Sequence, residues 1–149
     1  MKVCLGQINT TPGDFSGNLE RVRLGIEKAS KAEADVVVFP ELTLPGYLSQ
    51  DLVYNPDFMK RNFQALDQVV EISRSCDPRL HIVVGYIGDN IGAGKPFTNL
   101  ASVVNKGEIS HTYQKQLLPF YDVFDELRYF EPGNQLTVFT IGSVKVGLA

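Results

Sequence analysis

The stretch "DVVVFPELTLPGY", residues 35–47, decides the fold class of this chain. Four apolar residues, 36–39, follow an aspartate and precede Pro40. A run that is apolar at successive positions is typical of a strand that is buried on both faces between two layers. Pro40 has no backbone N–H and holds the preceding residue extended, so we expect the chain to leave the sheet here. Glu41 would then lie at the carboxyl end of a buried strand, where ligands of α/β proteins collect.

The segments on either side of this strand alternate between strand and helix patterns. In chain order they predict a strand at 2–8, a helix from Leu19 to about Glu33, the strand at 36–39, a helix from Phe58 to about Ser75, a strand at 81–88, and two hairpins that turn at Lys106-Gly107 and Gly142-Ser143. The order β-α-β-α-β followed by further strands predicts a layered α/β fold.

Composition limits the classes of partner. The chain has 149 residues, of which 44% are hydrophobic and 21% charged, so it can form one ordinary globular core. Its net charge of −3 is scattered, which argues against nucleic acid or an anionic membrane as the main partner. The apolar run at the N-terminus is broken at Gln7, too early for a signal peptide, and no run has membrane-spanning length. A cytoplasmic location is therefore expected.

Cysteine and histidine usage predicts neither a disulfide framework nor a metal site. Cys4 and Cys76 lie among apolar neighbours, which favours buried free thiols in a reducing compartment. His81 and His111 have no cysteine or carboxylate at ligand spacing, so no zinc site is predicted.

Two charged residues are candidates for chemistry. Glu41 could act as a general base at the rim of the sheet, or it could cap a backbone amide of the following loop. Alternation along the strand at 108–115 puts every second residue from Ile109 to Lys115 on one face. If Ile109 and Tyr113 point inward, Lys115 points inward too and needs a carboxylate partner. The alternative is a lysine whose ammonium reaches water past the strand end.

The segment "YQKQLLPFYDVFDELRYFEPG", residues 113–133, crowds six aromatic rings and several charges into one connection. We expect the rings of Phe120, Tyr121, Phe124, Tyr129 and Phe130 to pack beneath this connection. Asp125, Glu126 and Arg128 could form an internal ion-pair network. Such a cluster under aromatic cover would shape a dry pocket for a polar substrate. A loop that is packed only to hold itself rigid is the alternative.

Three strings, "VVVFPELTLPGY" (36–47), "YQKQLLP" (113–119) and "YDVFDELRYFEPG" (121–133), resemble the glutaminase domain of the glutamine-dependent NAD synthetase family. This domain is a member of the nitrilase, or carbon–nitrogen hydrolase, superfamily. A glutamate after the second strand is shared across the superfamily, whereas the last two strings point to the NAD synthetase branch. The resemblance extends from "GQINTTPGDFSGN" (6–18) to the last strand and so covers essentially the whole chain.

The resemblance implies a Glu–Lys–Cys triad that hydrolyses glutamine to glutamate and ammonia. Glu41 would be the general base, and Lys115 would be the cation that stabilises the oxyanion of the tetrahedral intermediate. Tyr121 would bind glutamine, and Glu126 would have a supporting role.

The cysteine of this triad is expected outside the 149 residues. In the family it follows a strand that resembles "VKVGLA" (144–149), and neither Cys4 nor Cys76 matches it. Residues 1–149 would then be the N-terminal part of a nitrilase-like glutaminase domain, with the rest of that domain and a synthetase domain beyond Ala149. Residues 1–149 alone are expected to be inactive on glutamine.

The resemblance also implies a fold and partners. The family fold is an α/β, nitrilase-type four-layer α-β-β-α sandwich, which would be incomplete in this chain, and relatives form homo-oligomers. The synthetase domain would use the ammonia with ATP and magnesium to convert deamido-NAD to NAD, and residues 1–149 would bind no cofactor. Two alternatives stay open: a stand-alone nitrilase-family amidase that acts on another small amide, and a non-catalytic scaffold of the same fold.

Overall fold

The computed structural model describes residues 1–149. Its elements in chain order are β1 (Val3–Leu5), α1 (Phe15–Lys31), β2 (Val36–Val38), a 3-10 helix (Gln50–Tyr54), α2 (Pro56–Arg74), β3 (His81–Asp89), β4 (Phe97–Asn105), β5 (Glu108–Gln114), α3 (Glu126–Tyr129), β6 (Thr137–Ile141) and β7 (Val144–Leu148). The predicted order of strands and helices is confirmed, and so are both predicted hairpins.

The first five strands form one sheet in the order β1-β2-β3-β4-β5. Strands β1, β2 and β3 are parallel, and the connections between them are α1 and α2. Strands β3, β4 and β5 are antiparallel neighbours. Strand β2 is buried on both faces, as predicted, because Val36 and Val37 point to opposite sides and both are buried.

The two long helices cover one face of this sheet. The main core of 24 buried residues joins Val22 and Ile26 of α1 and Val69 of α2 to the sheet. Helix α1 begins at Phe15 rather than at Leu19, because the Asp14 carboxylate accepts a hydrogen bond from the Gly17 N–H at 3.0 Å and caps the helix. No helix of the chain combines the length and the hydrophobicity that a membrane span requires.

The hairpin of β6 and β7 lies on the opposite face of the sheet. Phe139 and Ile141 pack there on Val36, Val83 and Val103 in a second, smaller core. The chain therefore has a helix layer, a five-stranded sheet and the two-stranded β6–β7 sheet, which confirms the predicted α/β class.

The predicted alternation along β5 is wrong at its first residues. The register shifts between Val103 and Val104, so Ile109 pairs with Val104 while His111 pairs with Val103. This bulge breaks the two-residue period, and Ile109 is exposed rather than inward. The period holds beyond the bulge, and Tyr113 is buried as predicted.

Candidate active site

Glu41 lies where the chain leaves the carboxyl end of β2. The Phe39 N–H still donates to the Val83 carbonyl at 3.0 Å, and the chain then turns away from the sheet. Gly85 of β3 makes room for this turn, because a Cβ at that position would lie 2.5 Å from the Leu42 backbone nitrogen. A larger residue at position 85 would displace the segment that carries Glu41.

Lys115 follows β5 directly, and its ammonium contacts Glu41. Its backbone N–H donates to the Asn99 carbonyl at 2.9 Å, and its own carbonyl accepts from the Gly133 N–H at 2.9 Å. The Nζ atom lies 2.7 Å from Glu41 Oε1. Antiparallel pairing thus brings Lys115 to the same edge of the sheet as the exit from β2.

A second carboxylate, that of Glu126, completes the charged cluster. Glu126 is the first residue of α3, its backbone N–H donates to the Pro119 carbonyl at 3.1 Å, and its side chain is only 2% exposed. Lys115 Nζ lies 2.9 Å from Glu126 Oε2 and 3.1 Å from Oε1. One ammonium therefore bridges two carboxylates that are distant in sequence.

The protonation of the cluster follows from burial and from these contacts. Burial by itself would lower the pKa of Lys115, but the hydrogen bonds and charges of Glu41 and Glu126 outweigh it and raise that pKa. Burial raises the pKa of Glu126, as does the charge of Glu41, while the hydrogen bonds from Lys115 and Tyr47 oppose the rise. Lys115 is therefore a cation at neutral pH, and the pKa of the Glu126 carboxyl lies above its ordinary value.

Two residues of the cluster are absent from the sequence predictions. Asn99 of β4 donates from Nδ2 to Glu41 Oε1 at 2.5 Å, and Tyr47 donates from its hydroxyl to Glu126 Oε1 at 2.9 Å. Burial and the neighbouring Glu126 carboxylate raise the pKa of Tyr47, so its hydroxyl keeps the proton that it donates. Tyr47 ends the string "VVVFPELTLPGY" that carries the family resemblance, so the motif could have pointed to it, whereas Asn99 lies in no motif string.

Glu41 and Lys115 line two cavities. The open cavity, of about 430 Å³, is lined by Pro40, Glu41, Tyr47, Lys115, Pro119, Tyr121, Phe124 and Glu126. The apolar cavity, of about 390 Å³, also contacts Asn99, Tyr113 and the end of β7 at Leu148 and Ala149. Both cavities therefore reach the charged pair of Glu41 and Lys115.

The aromatic residues of segment 113–133 divide between the interior and the surface. Tyr129 and Phe130 are buried, as predicted, but Phe120 and Tyr121 are each 69% exposed, so the prediction that they pack beneath the loop is wrong. Tyr121 instead lines the open cavity, with its ring edge-on to Phe124 at 5.5 Å between centroids. The residue predicted to bind substrate thus lies at the cavity mouth.

The predicted ion-pair network within this segment is also wrong for Glu126. Arg128 pairs with Asp125 at 3.8 Å and with Asp51 at 3.7 Å, both on the outside of the molecule. Glu126 faces inward on α3 and pairs with Lys115 instead. The short helix α3 points the side chains of Glu126 and Arg128 in different directions, and their closeness in sequence does not reveal this.

Neither cysteine lies at the cluster. Cys4 and Cys76 are free and half-buried, and neither lines the two cavities around Glu41. Burial raises the pKa of Cys76, whose thiol contacts the Ile72 carbonyl at 3.4 Å. No group of three or more histidine, cysteine, aspartate or glutamate side chains is placed to hold a metal ion.

The fold agrees with the family to which the sequence is similar. A family model described as carbon–nitrogen hydrolase matches residues 2–149, and the chain belongs to this family. The nitrilase fold that the sequence predicts is therefore confirmed.

Individual relatives of the chain are named enzymes within this family. The chain is 40% identical over 148 residues to the glutamine-dependent NAD(+) synthetase of Thermotoga maritima. This alignment covers 99% of the chain and 25% of the relative. It is 32% identical to the enzyme of the same name from Aquifex aeolicus, over 100% of the chain and 25% of the relative. The chain thus spans about a quarter of the length of these relatives.

Solved structures show the same relationship. The glutamine-dependent NAD+ synthetase of Acinetobacter baumannii, solved with ADP, superposes with a TM-score of 0.86 at 32% identity over 97% of this chain and 26% of that one. An amidase of the nitrilase superfamily from Nesterenkonia gives a TM-score of 0.84 at 23% identity, over 99% of this chain and 54% of that one. This second likeness concerns the fold alone.

Proposed function

We propose that this chain supplies the base and the cation of a glutamine amidohydrolase site within a glutamine-dependent NAD synthetase. The cluster of Glu41, Lys115 and Glu126 at an open cavity supports this function, together with the similarity to synthetases of that name. The substrate would enter past Tyr121, with its side-chain amide close to the ammonium. Glutamine is polar and small enough for a cavity of about 430 Å³.

The two carboxylates differ in their hydrogen bonds, and this difference is the observation that carries the proposal. Both oxygens of Glu126 accept hydrogen bonds, Oε1 from Tyr47 and Lys115 and Oε2 from Lys115. Both bonds to Glu41 end on Oε1, which leaves Oε2 without a donor. Glu41 Oε2 is therefore the oxygen of the pair that is open to a proton donor in the cavity, so we assign Glu41 as the base and Glu126 as the support that holds the ammonium.

The proposed reaction uses a cysteine thiol that follows β7 in the whole protein. Leu148, the last residue of β7, and Ala149 line the apolar cavity together with Glu41 and Lys115, which supports a nucleophile placed just after this strand. Glu41 takes the thiol proton, and the thiolate attacks the amide carbon of glutamine. Lys115 donates to the oxygen that becomes negative. The carbon–nitrogen bond then breaks, and Glu41 returns the proton to the departing ammonia.

Water hydrolyses the resulting thioester to glutamate, with Glu41 again as the base. The ammonia would pass to the synthetase part of the protein, where ATP and magnesium would support the conversion of deamido-NAD to NAD. Residues 1–149 alone would be inactive on glutamine, since neither Cys4 nor Cys76 lines the cavities. A homo-oligomer and a cytoplasmic location belong to the same proposal.

The decisive experiment is Glu41→Gln in the full-length protein. We expect glutamine-dependent NAD synthesis to fall by at least about 100-fold, because a neutral amide cannot accept the thiol proton. Synthesis from added ammonia should continue, because it bypasses this site. The matched control is Glu108→Gln, which changes an exposed glutamate of β5 outside both cavities.

Two results would contradict the proposal. If both activities of Glu41→Gln disappear in a folded protein, Glu41 has a structural role. If the wild-type protein hydrolyses an amide but makes no NAD from ammonia, the function is that of a stand-alone amidase.

A further inference from the structure

The side chain of Glu41 is held at one oxygen only. Its side chain is 40% exposed, and yet Oε1 accepts two hydrogen bonds, from Asn99 Nδ2 at 2.5 Å and from Lys115 Nζ at 2.7 Å. No donor of the chain contacts Oε2. An exposed glutamate ordinarily samples several rotamers, and ordering it costs free energy. The two donors therefore select one rotamer and one orientation of the carboxylate plane.

Asn99 is built into the sheet at the point where it can do this. It is 4% exposed, and its register partner in β3 is Ile87. Its carbonyl accepts the backbone N–H of Lys115, so Asn99 of β4 lies opposite the residue that directly follows β5. Asn99 thus holds both the backbone of Lys115 and the side chain of Glu41. A buried amide in a strand is costly unless it is hydrogen-bonded, and Glu41 Oε1 is the acceptor for its Nδ2.

We propose that Asn99 is a positioning residue that anchors Glu41 Oε1 and so presents Oε2 as the proton-accepting atom. This inference rests on the amidohydrolase function proposed above. Lys115 cannot do this alone, because its ammonium must also serve the oxygen of the substrate. Whenever Lys115 turns toward that oxygen, Asn99 is the donor that stays on Glu41.

The expected effect is on catalysis rather than on substrate binding. Asn99 lines the apolar cavity but not the open cavity where Tyr121 lies. Without the amide donor, the Glu41 carboxylate can rotate and exchange its oxygens, and displacements of about 1 Å in a reacting group cost up to about 100-fold in rate. Asn99→Leu in the full-length protein should therefore lower kcat for glutamine by about 10- to 100-fold. KM should change by less than about twofold, because the contacts that bind glutamine in the ground state are unaffected.

The chain offers a matched control on the same strand. Asn105 of β4 donates from Nδ2 to the carbonyls of Pro78 and Leu80, at 3.0 and 2.8 Å, outside both cavities. Asn105→Leu removes the same chemical group from the same strand, so it should leave kcat for glutamine unchanged. Ammonia-dependent NAD synthesis should be unaffected in both variants.

Asn99→Asp is the second variant, in case the leucine protein does not fold. It has the same shape as asparagine, but it places a carboxylate against Glu41 Oε1, in a cluster that already contains Lys115, Glu126 and Tyr47. Two carboxylates that share one site cannot both ionise easily. The acid limb of the kcat/KM profile for glutamine should therefore move to higher pH by at least about one unit. An acid limb that stays in place would mean that the group titrating there does not lie against position 99, which would contradict the positioning role.

The outcomes separate this inference from the proposed function. Loss of kcat in Asn99→Leu with KM retained supports the positioning role, and an acid limb that Asn99→Asp leaves in place contradicts it. If Glu41→Gln abolishes glutamine hydrolysis while Asn99→Leu keeps the wild-type kcat, the positioning role is wrong and the base assignment stands. A raised KM with an unchanged kcat also overturns it, because Asn99 would then bind substrate. If Glu41→Gln retains glutamine hydrolysis, the proposed function itself fails, and the inference with it.

Discussion

Replacing Lys115 with methionine tests whether the ammonium is what allows two carboxylates to occupy one site. Methionine keeps most of the length and the apolar stem of lysine but removes the charge and all three N–H donors. Lys115 Nζ lies 2.7 Å from Glu41 Oε1 and 2.9 Å from Glu126 Oε2, so these two oxygens are less than about 6 Å apart. In the variant they face each other without a cation between them.

The size of the effect follows from this separation. Two unit charges about 5.5 Å apart, at an effective dielectric constant of about 20, repel by about 3 kcal/mol. Water screens part of this repulsion, because the Glu41 side chain is 40% exposed, whereas Glu126 is 2% exposed. We therefore expect Lys115→Met to lower the free energy of unfolding by about 2 kcal/mol at neutral pH.

The loss should depend on pH in a defined direction. Burial raises the pKa of Glu126 above the ordinary value of 4.5, and removal of the Lys115 ammonium raises it further. The folded variant then binds a proton that the unfolded chain has already released, so the free energy of unfolding falls as pH rises from 4.5 through the folded pKa. The destabilisation relative to wild type should be small near pH 5 and full near about pH 7.5.

Urea unfolding of the full-length protein at these two pH values measures the effect. Pulse proteolysis followed by mass spectrometry of peptides from 36–133 reads the transition of this domain separately from the rest of the protein. Lys60→Met, at an exposed lysine of α2 without an ion pair, is the matched control. The double variant Lys115→Met/Glu126→Gln should recover most of the loss, because only one carboxylate is left. An equal loss at both pH values would show that packing, and not charge, explains the effect.

Two further predictions concern the tyrosines of the site. Tyr121→Ala should raise KM for glutamine about tenfold with little change in kcat, because the ring lines the open cavity and makes no hydrogen bond with the cluster. Steady-state kinetics measure both constants. An unchanged KM would show that Tyr121 is not part of the substrate site. Tyr47→Phe should lower the free energy of unfolding by about 1.5 kcal/mol, because it deletes a hydrogen bond to the buried Glu126 carboxylate. The same urea transitions measure it, with Tyr54→Phe at an exposed ring as the control; equal losses in the two variants would contradict this reason.

Local patterns predicted most of the fold. The run "VVVF" was enough to predict that the strand around Val37 is buried on both faces, because successive apolar residues point alternately into the two cores. The turn at Lys106-Gly107 was equally visible, and both residues adopt positive φ there, at 53° and 77°. The predictions failed where a single local feature, a helix cap or a β-bulge, changed the regular pattern. The Asp14 cap starts α1 early, and the bulge in β5 turns Ile109 outward.

The candidate site was predictable only in part. The motifs led to Glu41, Lys115, Tyr121 and Glu126 through a family resemblance, and the structure brings all four to one open cavity. Their chemical roles stay predictions. The sequence predicted a network of Glu126 with Asp125 and Arg128, its near neighbours, whereas the buried Glu126 of α3 pairs with Lys115.

The sequence by itself determined the class of fold and the family, because hydrophobic period and turn chemistry are local and the motif strings are contiguous. Only the tertiary structure decided which atoms meet. Asn99 and Glu41 are 58 positions apart, and Tyr47 and Glu126 are 79 apart, so no window along the chain contains either pair. Strand register and the direction of a four-residue helix set these contacts, and both depend on how the whole sheet and its loops pack.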